Sequence, residues 1–314
     1  MKKLNFIVSL TNHDNDYQLE QAVAAQEAAK RLGVDLQILY AENDAITQSQ
    51  QLLKVIQSHS EKTIDGIIFE PVGGTALPQV ARAAAIAGIG WVVLNREAEY
   101  IPELRKAYRV PAFSISSNHE EVGRIQGRQL AALLPKGGSA LYIQGPSESL
   151  AAKLRTAGMC ETKPGNIQIK LMKAQWTEAS AHRTVSSWLR LSTSHQMQID
   201  VIAAQDDSMA IGARKAFEEL PHGKARDHWL SLPYLGCDGL PSSGQAWVHK
   251  GLLKATIYLP ANAGKAVDML AQALRTGNMP SEQTLTVPVS IPAIETLAPS
   301  PAAKPQARSA GTVV

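Results

Sequence analysis

A chain of 314 residues is too long for one small core and points to two domains, and 45% hydrophobic against 19% charged residues is an ordinary soluble, globular composition. A net charge of +3 with no concentrated Lys/Arg stripe argues against nucleic acid as the main partner. Cys160 and Cys237 have neither CxxC nor Cys/His ligand spacing, so they read as isolated thiols, and no metal site or cofactor is expected.

Met1-Lys2-Lys3 has the opening of an export signal. The apolar stretch Leu4 to Leu10, however, contains Asn5 and Ser9 and runs into TNHDNDYQ without a small-residue cleavage site. It therefore reads as a first strand, Phe6 to Leu10, and the chain as written is expected to be cytoplasmic, or periplasmic if the true start lies upstream. No window reaches the apolar length of a membrane-spanning helix, so direct insertion into a membrane is not expected. Gln18 to Leu32 has helical spacing, with Leu19, Val23, Ala25, Ala29 and Leu32 expected on one face and Gly33 as the stop. Strand Leu36 to Tyr40 and helix Ile46 to Ile56 follow.

The stretch 65 to 96 then gives a strand, Gly66 to Phe69, an Ala-rich helix, Leu77 to Ala87, and a strand, Trp91 to Leu94. Each strand is a short apolar run that gives way at once to polar residues, as a buried parallel strand does when it delivers side chains to a crevice. A helical crossover is what parallel pairing requires. Glu70, Asn95 and Arg96 are thus expected side by side at one rim. Residues 97 to 112, charged and interrupted by Pro102 and Pro111, read as an irregular connection.

A second alternation follows. Its strands are Phe113 to Ser116, Ala140 to Ile143, Ile167 to Met172, Val201 to Ala204 and Tyr234 to Cys237. Its helices are Glu120 to Leu134, Ala151 to Met159, Ala179 to Leu191 and Ser208 to Leu220. Strand Lys254 to Tyr258, helix Ala261 to Leu274 and an alternating strand, Leu285 to Ile291, close the pattern. Residues 298 to 314, rich in Pro, Ala and Ser, are expected to be a disordered tail. Repeated strand–helix alternation of this kind specifies an α/β fold with parallel sheets.

The candidate chemistry lies where strands end. In Asn12 to Gln18, the side chains of Asn15, Tyr17 and Gln18 can present amides and a phenol to a polar ligand, or the loop can simply cap the next helix. Asn95 and Arg96 supply a planar amide and a guanidinium fork suited to hydroxyls or an anion, the alternative being a surface pair of Arg96 with Glu97. Gly145 to Ser149 opens a helix carrying Lys153 and Arg155, a weak anion-binding signal without a phosphate-loop motif. Trp176 offers either half-buried packing or a flat platform for the C–H face of a sugar ring. Asp206 and Asp207, Asp238 and Tyr258 end later strands. The carboxylates suit sugar hydroxyls or, if paired, glycoside hydrolysis, and either Asp206 or Asp207 can be the cap of the following helix.

Taken together, the loop NHDNDYQ, the strand end VVLNRE, the turn GPSESLAAKLRTAG, the run AAQDDSMAIGA and the pair GCDG before KATIYLP resemble the type I periplasmic sugar-binding proteins, most closely the ribose-binding kind. The similarity covers about residues 4 to 296, and the same lobes form the effector domains of lac-repressor-type regulators. The resemblance implies two Rossmann-like lobes with parallel sheets joined by a three-crossing hinge. The crossings would fall near Ser117, Tyr258 and Ser290, giving lobes of 1 to 117 with 259 to 290 and of 118 to 258 with 291 to 297. It assigns ligand contacts to Asn15, Tyr17, Gln18, Asn95, Arg96, Trp176, Asp206, Asp238 and Tyr258, with Glu70 standing where the family usually has Asn. Lys153 stands where the family has Arg in the first turn of its helix, and Asn95 where it has Asp. Asp206 and Tyr258 replace an expected Asn and Gln.

These departures keep the polar character and rewrite the hydrogen-bond pattern, which points to a small polyhydroxylated ligand other than ribose. The resemblance implies a non-enzymatic receptor that would serve an ABC transporter permease. The alternatives are a cytoplasmic sugar sensor with a signalling partner and an α/β hydrolase. Against a hydrolase stand the lack of a GxSxG elbow and the failure of His119-Glu120-Glu121 to form HExxH.

Overall fold

The computed structural model describes residues 3–58, 63–74, 76–191 and 197–298. The chain opens with β1 (Asn5–Leu10), α1 (Asp16–Leu32), β2 (Asp35–Tyr40), α2 (Ala45–Gln57), β3 (Gly66–Phe69), α3 (Pro78–Ile86), β4 (Gly90–Leu94), α4 (Ile101–Tyr108) and β5 (Ala112–Ser117). It continues through α5 (His119–Leu133), β6 (Gly138–Gln144), α6 (Leu150–Thr162), β7 (Ile167–Lys173), α7 (Glu178–Leu189), β8 (Val201–Ala204), α8 (Asp207–Glu218), α9 (Lys224–Ser231), β9 (Tyr234–Leu235) and α10 (Ala246–His249). The last elements are β10 (Thr256–Tyr258), α11 (Asn262–Thr276), β11 (Gln283–Thr286) and β12 (Val289–Ile291).

One sheet has the order β2-β1-β3-β4-β5-β11 and a second the order β7-β6-β8-β9, while β10 and β12 form a separate ribbon. Pairing is parallel throughout both sheets and antiparallel in the ribbon. In the first sheet the order turns back on itself between β1 and β3, and in the second between β6 and β8. Such switch points leave a crevice beyond the carboxyl ends of the strands.

Side-chain alternation along a strand explains how both sheet faces are buried. Phe6, Val8 and Leu10 meet α1 and α11 in one core, while Ile7 joins Ile67, Phe69, Trp91 and Val93 against α2 to α4 in the other. Trp91 is fully buried, its ring centroid 4.7 Å from that of Phe69 and its Nε1–H donating to the Tyr100 hydroxyl at 2.9 Å. The second sheet is sandwiched in the same way, with Leu141 and Ile143 facing one core and Ala140 and Tyr142 the other. Helices α5 and α6 cross closely because glycines line the contact. A Cβ built at Gly123 would lie 2.0 Å from the Arg155 carbonyl oxygen, and one at Gly158 would lie 2.1 Å from that of Glu120.

Several expectations need correction. In α1 the buried face is Gln18, Gln21, Ala22, Ala25, Ala28 and Ala29, whereas Leu19 and Val23 are exposed. The small residues let α1 approach α11, where a Cβ at Gly264 would already lie 2.9 Å from the Ala24 carbonyl oxygen. Within the connection 97 to 112 lies α4: Pro102 sits at its first turn, where no N–H is needed, and Ile101 and Leu104 are buried. Helices α9 and α10 were likewise not anticipated.

The stretch 285 to 291 is two strands in different pairings, because Pro288 between them cannot donate to a ladder. The strand expected at 234 to 237 pairs in the sheet only through Tyr234–Leu235. Beyond it, the Gly236 N–H donates to the Ala255 carbonyl instead. The expected tail, apart from Ala298, lies outside the described residues. Both cysteines are free, Cys160 exposed and Cys237 buried.

Candidate functional site

The loop after β1 is built around Asn15. Its side-chain oxygen caps α1 by accepting from the N–H groups of Tyr17 and Gln18, at 2.9 and 3.3 Å. Its Nδ2 donates at 3.5 Å to the Trp176 carbonyl, which lies beyond β7 of the other sheet. Asn15 thus caps α1, the capping alternative the sequence offered, and also reaches across to the second sheet. The cap also fixes the first turn of α1, and with it Tyr17 and Gln18.

Around that turn the first-sheet residues form a network. Gln18 donates from Nε2 to Glu70 Oε2 at 2.9 Å, and its own oxygen accepts from the Thr11 N–H at 3.2 Å. Asn95 donates from Nδ2 to the Tyr17 hydroxyl at 3.1 Å, while its oxygen accepts from Asn262 Nδ2 at 2.6 Å. Asn95 is left-handed at φ 56°, a conformation Asn tolerates better than most residues, so the turn after β4 points its amide back toward Tyr17. Burial pushes the Glu70 carboxyl above its ordinary range, and hydrogen bonds from Gln18 and Asn95 oppose that rise. The loop after Glu70 is anchored by Gln48, which donates to the Glu70 carbonyl at 2.8 Å and accepts from the Val72 N–H at 3.0 Å.

Arg96 leaves this network. Its guanidinium lies against Gly74, where a Cβ would be 2.3 Å from Nη1. The alternative pair with Glu97 is not formed either, since the Glu97 carboxylate accepts from Gln283.

On the second sheet the central side chain is Arg155, 5% exposed. Its Nη1 donates to the Gln205 carbonyl, its Nε to His119 Nδ1 at 3.5 Å, and Nη1 lies 3.8 Å from Asp238 Oδ1. Its Cζ is 5.4 Å from the Trp176 ring centroid, a cation–π distance. Burial, aided by the Arg155 charge, lowers His119 to about 3, so the imidazole is neutral and can accept from the guanidinium.

Gln205 holds the arrangement: Nε2 donates to the Tyr142 hydroxyl at 3.0 Å, and Oε1 accepts from the Gly145 N–H at 3.0 Å. The Trp176 ring rests on Gly145, where a Cβ would be 2.3 Å from ring carbons, so Trp176 is partly packing as well as a candidate platform. Lys153, the expected cation of this helix, is exposed. The helical spacing of Ala152, Arg155 and Met159, all buried, turns Arg155 inward and Lys153 out.

The two consecutive aspartates divide their roles. Asp206 caps α8, accepting from the Met209 N–H at 2.6 Å. Burial raises it to about 6, with Asp16 from the first-sheet side contributing to the rise. Asp207 accepts from the Thr256 hydroxyl at 2.6 Å and from the Gly239 N–H at 2.7 Å, so it ties α8 to the ribbon and the turn after β9. Burial raises Asp207 to about 8. Asp238 is pushed well above its ordinary range by burial, with Arg155 opposing and the charges of Asp206, Asp207 and Glu70 adding. Tyr258 pairs with Val289 in the ribbon, and its backbone packs on Gly239. Among the described residues no hydrogen bond joins the Tyr258 side chain to the other candidates. Arg155, His119, Gln205, Asn262 and Asp207 join this network; the sequence named Arg155 only as part of a weak anion-binding signal and Asp207 only among the strand-end carboxylates, and it did not single out His119, Gln205 or Asn262 as contacts.

These shifts predict a pH dependence of stability. Asp207 ionises at its ordinary 3.8 when unfolded but at about 8 when folded, so its contribution is full below about 4 and is lost as pH rises toward 8. Asp206 acts in the same direction up to about 6. His119, lowered from 6.5 to about 3, acts oppositely and only below about 6.5. Between pH 6.5 and 8 the carboxyls alone act, and the melting temperature is expected to fall across that window. Asp207→Asn, whose oxygen can still accept from the Gly239 N–H while its Nδ2 donates to the Thr256 hydroxyl, should flatten the fall; an unchanged slope in calorimetric melts would show that Asp207 is not its source.

The arrangement is that of a receptor cleft between two parallel sheets, walled by amides, carboxylates, a guanidinium and aromatic rings. Residues 6–279 match the family described as the periplasmic binding protein domain, and the chain belongs to that family. A Rhizobium meliloti protein named for rhizopine binding is 33% identical over 199 residues, spanning 62% of this chain and 60% of that protein. The D-apiose import binding protein of Paraburkholderia graminis is 26% identical over 87% of this chain and 82% of its own length. Among solved structures, an ABC transporter periplasmic solute binding protein from Actinobacillus succinogenes with bound D-allose aligns at a TM-score of 0.77 and 22% identity, covering 94% of this chain and 99% of that one. At that identity the likeness is one of fold.

Proposed function

We propose that this chain is a non-enzymatic receptor that holds a small polyhydroxylated ligand, a monosaccharide or cyclic polyol, between two lobes, as the solute-binding component of an ABC-type sugar transporter. The observation that carries this reading is the facing of two polar sets across the strand ends. Tyr17, Gln18, Glu70 and Asn95 stand on one side, Arg155, Trp176, Asp206 and Asp238 on the other, with the Asn15 to Trp176 hydrogen bond between them. Dense donors and acceptors beside aromatic rings suit the hydroxyl edge and C–H face of a ring polyol. Relatives named for binding rhizopine and D-apiose support the same class.

The lobes of this proposal are residues 1 to 117 with 259 to 290, and 118 to 258 with 291 to 297. The chain passes between them near Ser117, Tyr258 and Ser290. The separate β10–β12 ribbon supports such a hinge. A ligand favours the closed state only through contacts it makes with both lobes, so each set should be needed.

Thermal-shift measurements against monosaccharides, polyols and nucleosides test the reading. At a hundredfold excess over Kd a true ligand adds about 2.7 kcal/mol of stability, a clear rise in melting temperature. No stabilisation by any sugar or polyol, with turnover of a glycoside, would overturn it.

A further inference from the structure

A cavity of about 380 Å³ opens at the end of the second sheet that lies away from the cleft. Its wall includes Pro233 and Tyr234, where β9 begins, whereas Asp238 follows the same strand at its carboxyl end, on the cleft side. Helix α8 gives the same separation. Asp206 and Asp207 stand at its cleft end, and Arg214, seven residues after Asp207, lies about 10 Å further along the axis. The cavity and the cleft thus share elements but no lining residue.

Leu230, Leu232, Val248 and Leu252 give the cavity an apolar wall, and each is only half-buried, so part of each side chain faces the opening. The charged lining residues are Arg214 and Lys254, and among the described residues no carboxylate joins them in the wall. One acid stands beside Arg214: Glu218 Oε1 is 3.2 Å from its Nε. That approach makes no hydrogen bond, and Nε is buried without an acceptor among the described residues. Lys254 is exposed and forms no ion pair among the described residues.

Arg214 is fixed in place. Its Cζ lies 5.3 Å from the Tyr234 ring centroid and its Nη1 donates to the Leu230 carbonyl at 3.2 Å, so the plane of the guanidinium is set before any ligand arrives. Lys254 is tied to the same place, its backbone N–H donating to the Tyr234 carbonyl at 2.7 Å. Two cations against one acid leave a single positive charge, which a monoanion neutralises. The apolar wall asks for an apolar body. A polyol does not suit it, since hydroxyls facing Leu and Val side chains would lose their hydrogen bonds to water without replacement. The volume lies within the range of small-molecule pockets, about 300–1,000 Å³.

We infer that this cavity is a second ligand site, for an organic monocarboxylate with a short aliphatic or single-ring body. The carboxylate meets the Arg214 guanidinium and the Lys254 ammonium, and the body lies against Leu230, Leu232, Val248 and Leu252. The inference stands apart from the receptor reading, because the two sites have no lining residue in common.

Titration of the full chain at pH 7, followed by ligand-observed NMR, tests this with hexanoate and benzoate against hexanol and benzyl alcohol. At least one carboxylate is expected to bind saturably, with a Kd of about 1 mM or tighter, and at least tenfold more tightly than its alcohol. Arg214→Gln should weaken that binding tenfold or more. Lys254→Glu should do the same, and because Lys254 is exposed this variant tests the site without altering the interior. Melting curves establish that each variant is folded. No saturable binding of either carboxylate, or alcohols that bind as tightly, would overturn the assignment. Carboxylate affinity that survives either folded variant would also overturn it, as would inorganic phosphate binding more tightly than both carboxylates.

Discussion

Arg155→Ala is expected to remove measurable ligand binding and to lower the melting temperature. Arg155 is the buried cation that faces Asp238, packs over Trp176 and fixes the Gln205 carbonyl. Removing one partner of a buried ionic network leaves the other uncompensated, at a cost of about 3 kcal/mol or more. For a chain of this size that loss corresponds to roughly 6 °C. Protonation of Asp238 limits the damage at acid pH, so the deficit should widen as pH rises. Arg155→Lys keeps the charge but not the planar fork, and should recover part of the stability and little of the binding. Calorimetric titration with whichever ligand the screen identifies, beside a melt of each variant, checks both halves. Wild-type affinity in Arg155→Ala would mean that the second-sheet half of the site is misassigned.

Gly158→Val should be nearly as damaging although the side chain would touch no candidate contact residue. At Gly158 a Cβ would stand 2.1 Å from the Glu120 carbonyl oxygen and 2.9 Å from the Arg124 N–H nitrogen, and both obstacles are backbone. Helices α5 and α6 must separate to admit it, an overpacking cost of about 3 kcal/mol. Since α6 carries Arg155, the same displacement should weaken binding. The matched control is Gly165→Val, where a Cβ meets nothing within 4 Å. Equal melting temperatures for the two variants would show that the close helix crossing is not a constraint.

What could be read from the sequence follows from periodicity. Buried parallel strands are short apolar runs, so β1, β3, β4, β6 and β8 were visible as such, and polar residues at their carboxyl ends located the cleft. Gly33 was recognisable as a helix stop because an αL residue is needed there, and it adopts φ 65°. Pro102 misled because its meaning depends on position: inside a helix it breaks, at the first turn it starts. Leu19 and Val23 mislead because hydrophobicity alone does not mark the buried face. In α1 the available space selects Ala, and the larger residues stay outside.

The stretch around Glu70, Asn95 and Arg96 shows where local reasoning ends. Sequence placed all three at one rim, since adjacent parallel strands end together. It could not assign their directions. Asn95 turns inward because Asn262, more than 160 residues later in the chain, donates to it. Arg96 goes to Gly74, whose missing Cβ leaves room for the guanidinium. Lys153 and Arg155 differ by two residues, about 200° around a helix, and the face presented by α6 is set by its crossing with α5.

By itself, then, the sequence determined the α/β class, the order of most elements and the polar rims, because these depend on residue type and spacing along the chain. Only the tertiary structure decided which cation is buried, which aspartate caps and which ties elements together, and that among the described residues no basic side chain pairs with Glu70. Those properties arise from distances between residues far apart in sequence, and from burial, which turns ordinary carboxyls and an ordinary imidazole into groups of altered charge.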